Sequence, residues 1–275
     1  MDKKIRNHSI CEKKPLLAIV LAMIIPTLAV GLGSIIGGQI SEEAGNIGMC
    51  IVAIIMMFVF KAWFTPYFKG FFKPENSAKN IFILMLPFIL FIVYTLCEPL
   101  ILKREFYFAP SFKAITMGLS AGFGEELMFR LFTLSIVMKY VKKEKRILSV
   151  ILLAVFFGLA HMGNLKEGAD LAMTVVQIFH STFMGLLFSA LYLKTGSAIF
   201  PIFAHGFYDY ICFVTDPSVS SDGIITQQYS TAAMVLSVVS AVMVGTVTFC
   251  MFINNDISTA NKIWAKKWNV EKVEE

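Results

Sequence analysis

Apolar residues fall in eight runs separated by short polar breaks, at about 16–36, 47–64, 80–96, 110–138, 147–161, 171–193, 199–214 and 231–253. Most approach the ~20 apolar residues that cross about 30 Å of hydrocarbon. Backbone polar groups in lipid must be satisfied within the segment, so such runs read as helices. The pattern predicts an all-α, polytopic membrane protein of about eight transmembrane helices. Pro87 should kink the third run, and Pro201 should tilt or break the short seventh. The apolar stretch 15–40 exceeds the ~7–15 residues of a cleavable signal core and reads as a retained first span. With no soluble segment, repeat or low-complexity stretch, residues 1–275 read as a single membrane domain.

Composition agrees with this pattern: 57% of residues are hydrophobic, 16% are charged and the mean hydropathy is +0.71. The net charge of +5 does not indicate a nucleic-acid partner, because the basic residues sit in loops and tails between the apolar runs. With the N-terminus inside, nineteen of the 24 Lys and Arg fall on inner segments and only Lys103, Arg104, Lys113 and Lys166 fall outside. The positive-inside rule then predicts a cell-membrane protein with both termini cytoplasmic. Cys11, Cys50, Cys97, Cys212 and Cys250 form no CxxC pair and read as reduced packing residues.

Against this apolar background a few ionisable residues stand out. Each costs roughly 2.5–3.5 kcal/mol at mid-bilayer unless it is paired or hydrated. The string GFGEELMFR puts Glu125, Glu126 and Arg130 in the fourth run. Glu126 and Arg130 are four apart, share a helix face and read as a buried pair, which leaves Glu125 over for function. His161 ends FFGLAH in the fifth run, and HGFYD puts His205 and Asp209 one turn apart in the seventh. At 1.5 Å per residue, Glu125 and His161 lie ~21–22 Å from the inner edge and His205 ~16 Å. Spans running in both directions thus carry their costly residues in one layer, which predicts an intramembrane polar cavity. His180 reaches a similar depth and reads as bonded to nearby Gln177, with cavity lining as the alternative; His8, in the polar tail, reads as idle.

A carboxylate in such a cavity can serve as general base toward water. Histidine can orient that water, carry its proton or bind a metal, and a His–Asp pair can stabilise an oxyanion. These ingredients suit hydrolysis of an amide. Neither a Gly-x-Ser-x-Gly elbow nor HExxH occurs, so serine and standard zincin mechanisms have no support.

The ordered motifs Glu125-Glu126-xxx-Arg130, Phe157-xxx-His161 and His205-xxx-Asp209 resemble the pattern EExxxR, FxxxH, HxxxN/D of the CAAX protease and bacteriocin-processing family, which includes the type II CAAX prenyl endopeptidase. The resemblance covers roughly 110–214. It implies an eight-helix membrane fold and an intramembrane endopeptidase. Glu125 would be the water-activating base helped by His161, and His205 and Asp209 would stabilise the tetrahedral intermediate. Glu126 and Arg130 would support the site, and Phe157 is the family's motif phenylalanine. Asp209 departs from the eukaryotic members, which have Asn. An ionised Asp209 cannot donate to an oxyanion, so it must be protonated, orient His205 or bind a cation. The cofactor stays open between a divalent metal such as zinc, with Glu125, His161, His205 and Asp209 as candidate ligands, and none. The lysine-rich chain looks bacterial, and bacteria do not generally prenylate CAAX proteins. The expected partners are therefore the lipid bilayer and a membrane-associated peptide or protein substrate, in peptide processing or bacteriocin self-immunity. A non-catalytic membrane scaffold or immunity protein and a proton-coupled transporter are the rival readings.

Overall fold

The computed structural model describes residues 9–216, 225, 229–254 and 256–269. His8, and Lys3, Lys4, Arg6 and Lys272 of the charge count, lie outside them. Helix α1 (Ser9–Lys13) leads into α2 (Pro15–Gly38), α3 (Glu42–Trp63) and α4 (Ala78–Ile101). The fourth apolar run becomes α5 (Phe112–Ser120), two π-helical turns (Ala121–Glu125 and Leu127–Leu131) and α6 (Phe132–Tyr140). Then come α7 (Lys143–Ala160), a 3-10 turn (His161–Glu167), α8 (Leu171–Thr195), α9 (Ile199–Thr215), α10 (Thr231–Asn254) and α11 (Asp256–Lys267). Among the described residues six helices, α2, α3, α4, α7, α8 and α10, are long and apolar enough to cross a membrane, and α9 is a shorter apolar one. Together with the composite rod 112–140 they match the eight apolar runs, so the chain is an all-α polytopic membrane protein.

Side-chain oxygens start several helices by taking up an orphan N–H of the first turn. Ser41, Ser77 and Ser111 accept from Ala44, Asn80 and Ala114, and Asp170 accepts from Met173 at 2.9 Å. Helix α4 runs on through Pro87. The expected break at Pro201 does not occur: α9 is continuous, and Pro201 sits in its first turn, where a missing N–H removes no intrahelical bond.

Residues 256–269, beyond the last span, are not a free tail. Helix α11 docks on the protein at the end where α3 finishes and α6 meets α7. Trp264 and Trp268 are fully buried, donating from Nε1 to the carbonyls of Leu193 and Ser135, both at 3.1 Å. Trp268 packs on Phe64 and Phe68, and Phe60, Phe71 and Phe132 extend the aromatic cluster. Arg146, at the start of α7, reaches Asn261 of α11 at 2.6 Å. This aromatic floor closes one end of the bundle.

Candidate functional site

Close packing of the fourth span on α9 builds the site. A Cβ at Gly122 would meet the Ile202 carbonyl oxygen at 2.5 Å, and one at Gly206 would meet the Gly118 carbonyl oxygen at 2.6 Å. Only glycine permits that approach, the small-residue packing by which membrane helices associate. It sets the Glu125–Glu126 pair directly against His205, the neighbour of Gly206. The two π turns lie on either side of Glu126 in this rod. Such turns are frequent at functional sites, where the extra residue re-aims the side chains that follow.

Glu126 and Arg130 form the expected pair, with Arg130 Nη1 donating to Glu126 Oε1 at 2.9 Å and both side chains essentially inaccessible. The same Glu126 oxygen accepts from His205 Nδ1, also at 2.9 Å. This contact was not foreseen from the sequence, which paired His205 with Asp209. His205 Nε2 instead lies 3.6 Å from Asp209 Oδ2 and 3.8 Å from Glu125 Oε2, close enough for attraction but beyond hydrogen bonding. Accessibility separates the adjacent glutamates: the Glu125 side chain is 33% exposed and that of Glu126 0%. Glu125 can reach water; Glu126 cannot.

Phe157 organises both histidines. Its ring stands edge-on to His161 at 5.3 Å and to His205 at 5.6 Å, and the Arg130 guanidinium lies over it at 3.8 Å. Phe188 stacks on the His205 ring at 4.8 Å. Gly185 leaves room for Arg130, since a Cβ there would stand 2.8 Å from Nη2. His161 caps the C-terminus of α7, its Nδ1 donating to the Phe157 carbonyl at 3.1 Å. That bond explains the four-residue spacing of the motif and leaves Nε2 beside Ser181 Oγ at 3.5 Å. His180 is not bonded to Gln177. It stacks on Tyr208 and meets the Tyr208 hydroxyl at 3.2 Å, while Gln177 accepts from Asn164. Tyr208 is a cavity residue the sequence reading passed over. Its position next to Asp209 and one turn past His205 was the available signal.

Glu125, Phe157, His161, His180, His205 and Asp209 all line one cavity of about 640 Å³. Glu126 and Arg130 stand behind its wall. Among the described residues, no three His, Cys, Asp or Glu side chains are grouped to hold a metal ion. His205 Nδ1 is taken by Glu126, and both nearby carboxylates approach the one remaining nitrogen. The candidate ligands Glu125, His161, His205 and Asp209 form no three-ligand set in this arrangement.

No curated protein and no solved structure matches the chain. Residues 107–211 match the family model described as Rce1-like, type II CAAX prenyl endopeptidase Rce1-like. That segment contains all three motifs and every ionisable residue singled out in the bilayer core, and over it the chain is similar to the CAAX protease family.

Proposed function

We propose that this protein is an intramembrane endopeptidase that hydrolyses membrane-associated peptides or proteins using water activated by side chains. The supporting observation is the difference between the adjacent glutamates: Glu126 is sequestered by Arg130 and His205, while Glu125 faces the cavity beside His205 and Asp209. Glu125 takes a proton from a water as that water's oxygen attacks the scissile carbonyl carbon. His161, held by its bond to the Phe157 carbonyl, presents Nε2 to orient the water. The carbonyl oxygen becomes an oxyanion facing His205 and Asp209. With Nδ1–H given to Glu126, a protonated His205 offers an N–H from Nε2, and a protonated Asp209 offers an O–H. Glu125 then returns its proton to the leaving nitrogen as the C–N bond breaks.

The test compares purified wild type with Glu125→Gln for peptide-bond cleavage of membrane-associated peptides. The variant should lose turnover and keep its melting temperature. Cleavage by neither would favour the scaffold reading, and equal cleavage by both would remove Glu125 from the mechanism.

A further inference from the structure

The cavity draws on only one end of each helix. It uses α2 from Ser34 onward, α3 up to Met49, α4 from Phe91 onward, α8 up to Phe188, α9 from His205 onward and α10 up to Ser240. In an up-and-down bundle these are the ends remote from the chain termini. The opposite end is closed by the aromatic floor, with Phe64, Phe132, Trp264 and Trp268 buried in it. The cavity is therefore a vestibule with its mouth on one membrane face. The basic bias assigns the closed end to the cytoplasm, which puts the mouth outside.

The mouth also has a sign. Besides Glu125 and Asp209 deep inside, Glu98 and Asp216 line it, with Arg104 as its one Lys or Arg among the described residues. Glu42 lines it too but pairs with Lys113. The Arg104 guanidinium lies 5.8 Å from the Tyr229 ring centroid, and the Tyr229 hydroxyl donates to Asp216. The mouth thus already holds a guanidinium of the chain itself, against a ring face and beside carboxylates. Further in, Phe91 and Tyr208 set their rings 5.3 Å apart along the same wall. Carboxylates alternating with aromatic faces attract Lys and Arg, and a one-signed cleft in low dielectric concentrates the opposite charge.

We propose that the vestibule receives a cationic peptide segment, bearing Lys or Arg, from the extracytoplasmic face. This deepens the protease reading and rests on it for what happens to the segment afterwards. Its test is a binding measurement that does not require cleavage.

Full-length Glu125→Gln protein in zwitterionic phosphatidylcholine nanodiscs is titrated with a fluorescent Lys/Leu peptide and with its Glu/Leu counterpart. The Lys/Leu peptide should bind about tenfold or more tightly, with a preference that falls as salt rises. Adding Glu98→Gln and Asp216→Asn should remove most of that preference. In intact cells, a membrane-impermeant maleimide should label Asn164→Cys, in the vestibule wall, above the background of the native cysteines. External Lys/Leu peptide should slow that labelling. Lys166→Cys, exposed on the same turn, serves if Asn164→Cys does not fold. Equal binding of the two peptides, an unchanged preference in the double variant, or labelling only in inside-out vesicles would overturn the proposal. Binding without cleavage in the wild type would overturn the protease reading instead.

Discussion

Glu126 and His205, 79 residues apart in the chain, meet at 2.9 Å through Oε1 and Nδ1, on the same carboxylate oxygen that binds Arg130. One fully buried carboxylate therefore holds a guanidinium on its own helix and an imidazole on the next. Removing one partner of such a buried pair leaves an uncompensated charge and costs about 3–5 kcal/mol. Arg130→Ala should therefore lower the melting temperature in detergent as well as activity. Glu126→Gln keeps volume and one acceptor but leaves the buried Arg130 guanidinium without its counter-charge, so it should lower stability as well. It should also mis-set His205. A wild-type melting curve for Arg130→Ala would contradict the buried pair.

Glu125→Gln preserves side-chain volume but cannot accept the water's proton. Loss of a general base commonly removes about 10²–10⁴-fold of rate. Single-turnover cleavage, measured beside circular dichroism to confirm the fold, should show that loss.

Asp209→Asn separates two roles. An amide donates to an oxyanion whatever the pH, so if Asp209 serves by donating, the Asn variant keeps substantial activity over a wider pH range. If Asp209 serves by its negative charge, holding His205 protonated across their 3.6 Å gap, activity falls by about 10²-fold or more. The pH profile of cleavage distinguishes the two outcomes.

Gly122→Ala and Gly206→Ala test the packing that assembles the site without touching its chemistry. Each new methyl would collide with backbone of the facing helix, at 2.5 Å and 2.6 Å. Overpacking of this kind costs about 1–3 kcal/mol. A fall in activity with every ionisable residue intact would show that the approach of the fourth span to α9 positions His205 against the glutamates. Gly31→Ala, where a Cβ meets nothing, is the control.

Lys267 in α11 gives a pH dependence outside the membrane. Burial pushes its ammonium down to about 8, with Glu75 opposing the shift and Lys73 and Lys69 adding to it. The unfolded chain keeps an ordinary lysine at about 10.4, so between these values it binds more protons than the folded protein. Stability then rises with pH from about 8 to about 10.4 through this group, by about 1–3 kcal/mol. Melting curves across that window should show the rise in wild type. Lys267→Met should lack that increment.

The number and place of the membrane spans were legible because lipid demands long apolar runs, and an unbroken run is a one-dimensional signal. The costly residues were legible for the same reason: Glu125, Glu126, Arg130, His161, His205 and Asp209 stand out where charge is expensive. The pairing of Glu126 with Arg130 followed from helical spacing alone. Other features depended on contacts between distant segments, which no local pattern encodes. Pro201 suggested a broken helix, but its effect depended on where the helix began. His180 has Gln177 nearby in sequence, yet its partner is Tyr208 on another helix. Lys262, Lys266 and Lys267 made α11 look like a charged tail, yet its two tryptophans seal the bundle because Leu193 and Ser135 offer carbonyls at that spot. Which glutamate reaches water, and which is locked to His205, was decided by the approach of Gly118 and Gly122 to Gly206. A glycine in sequence carries no record of the backbone it lets in, so that choice exists only in the packed molecule.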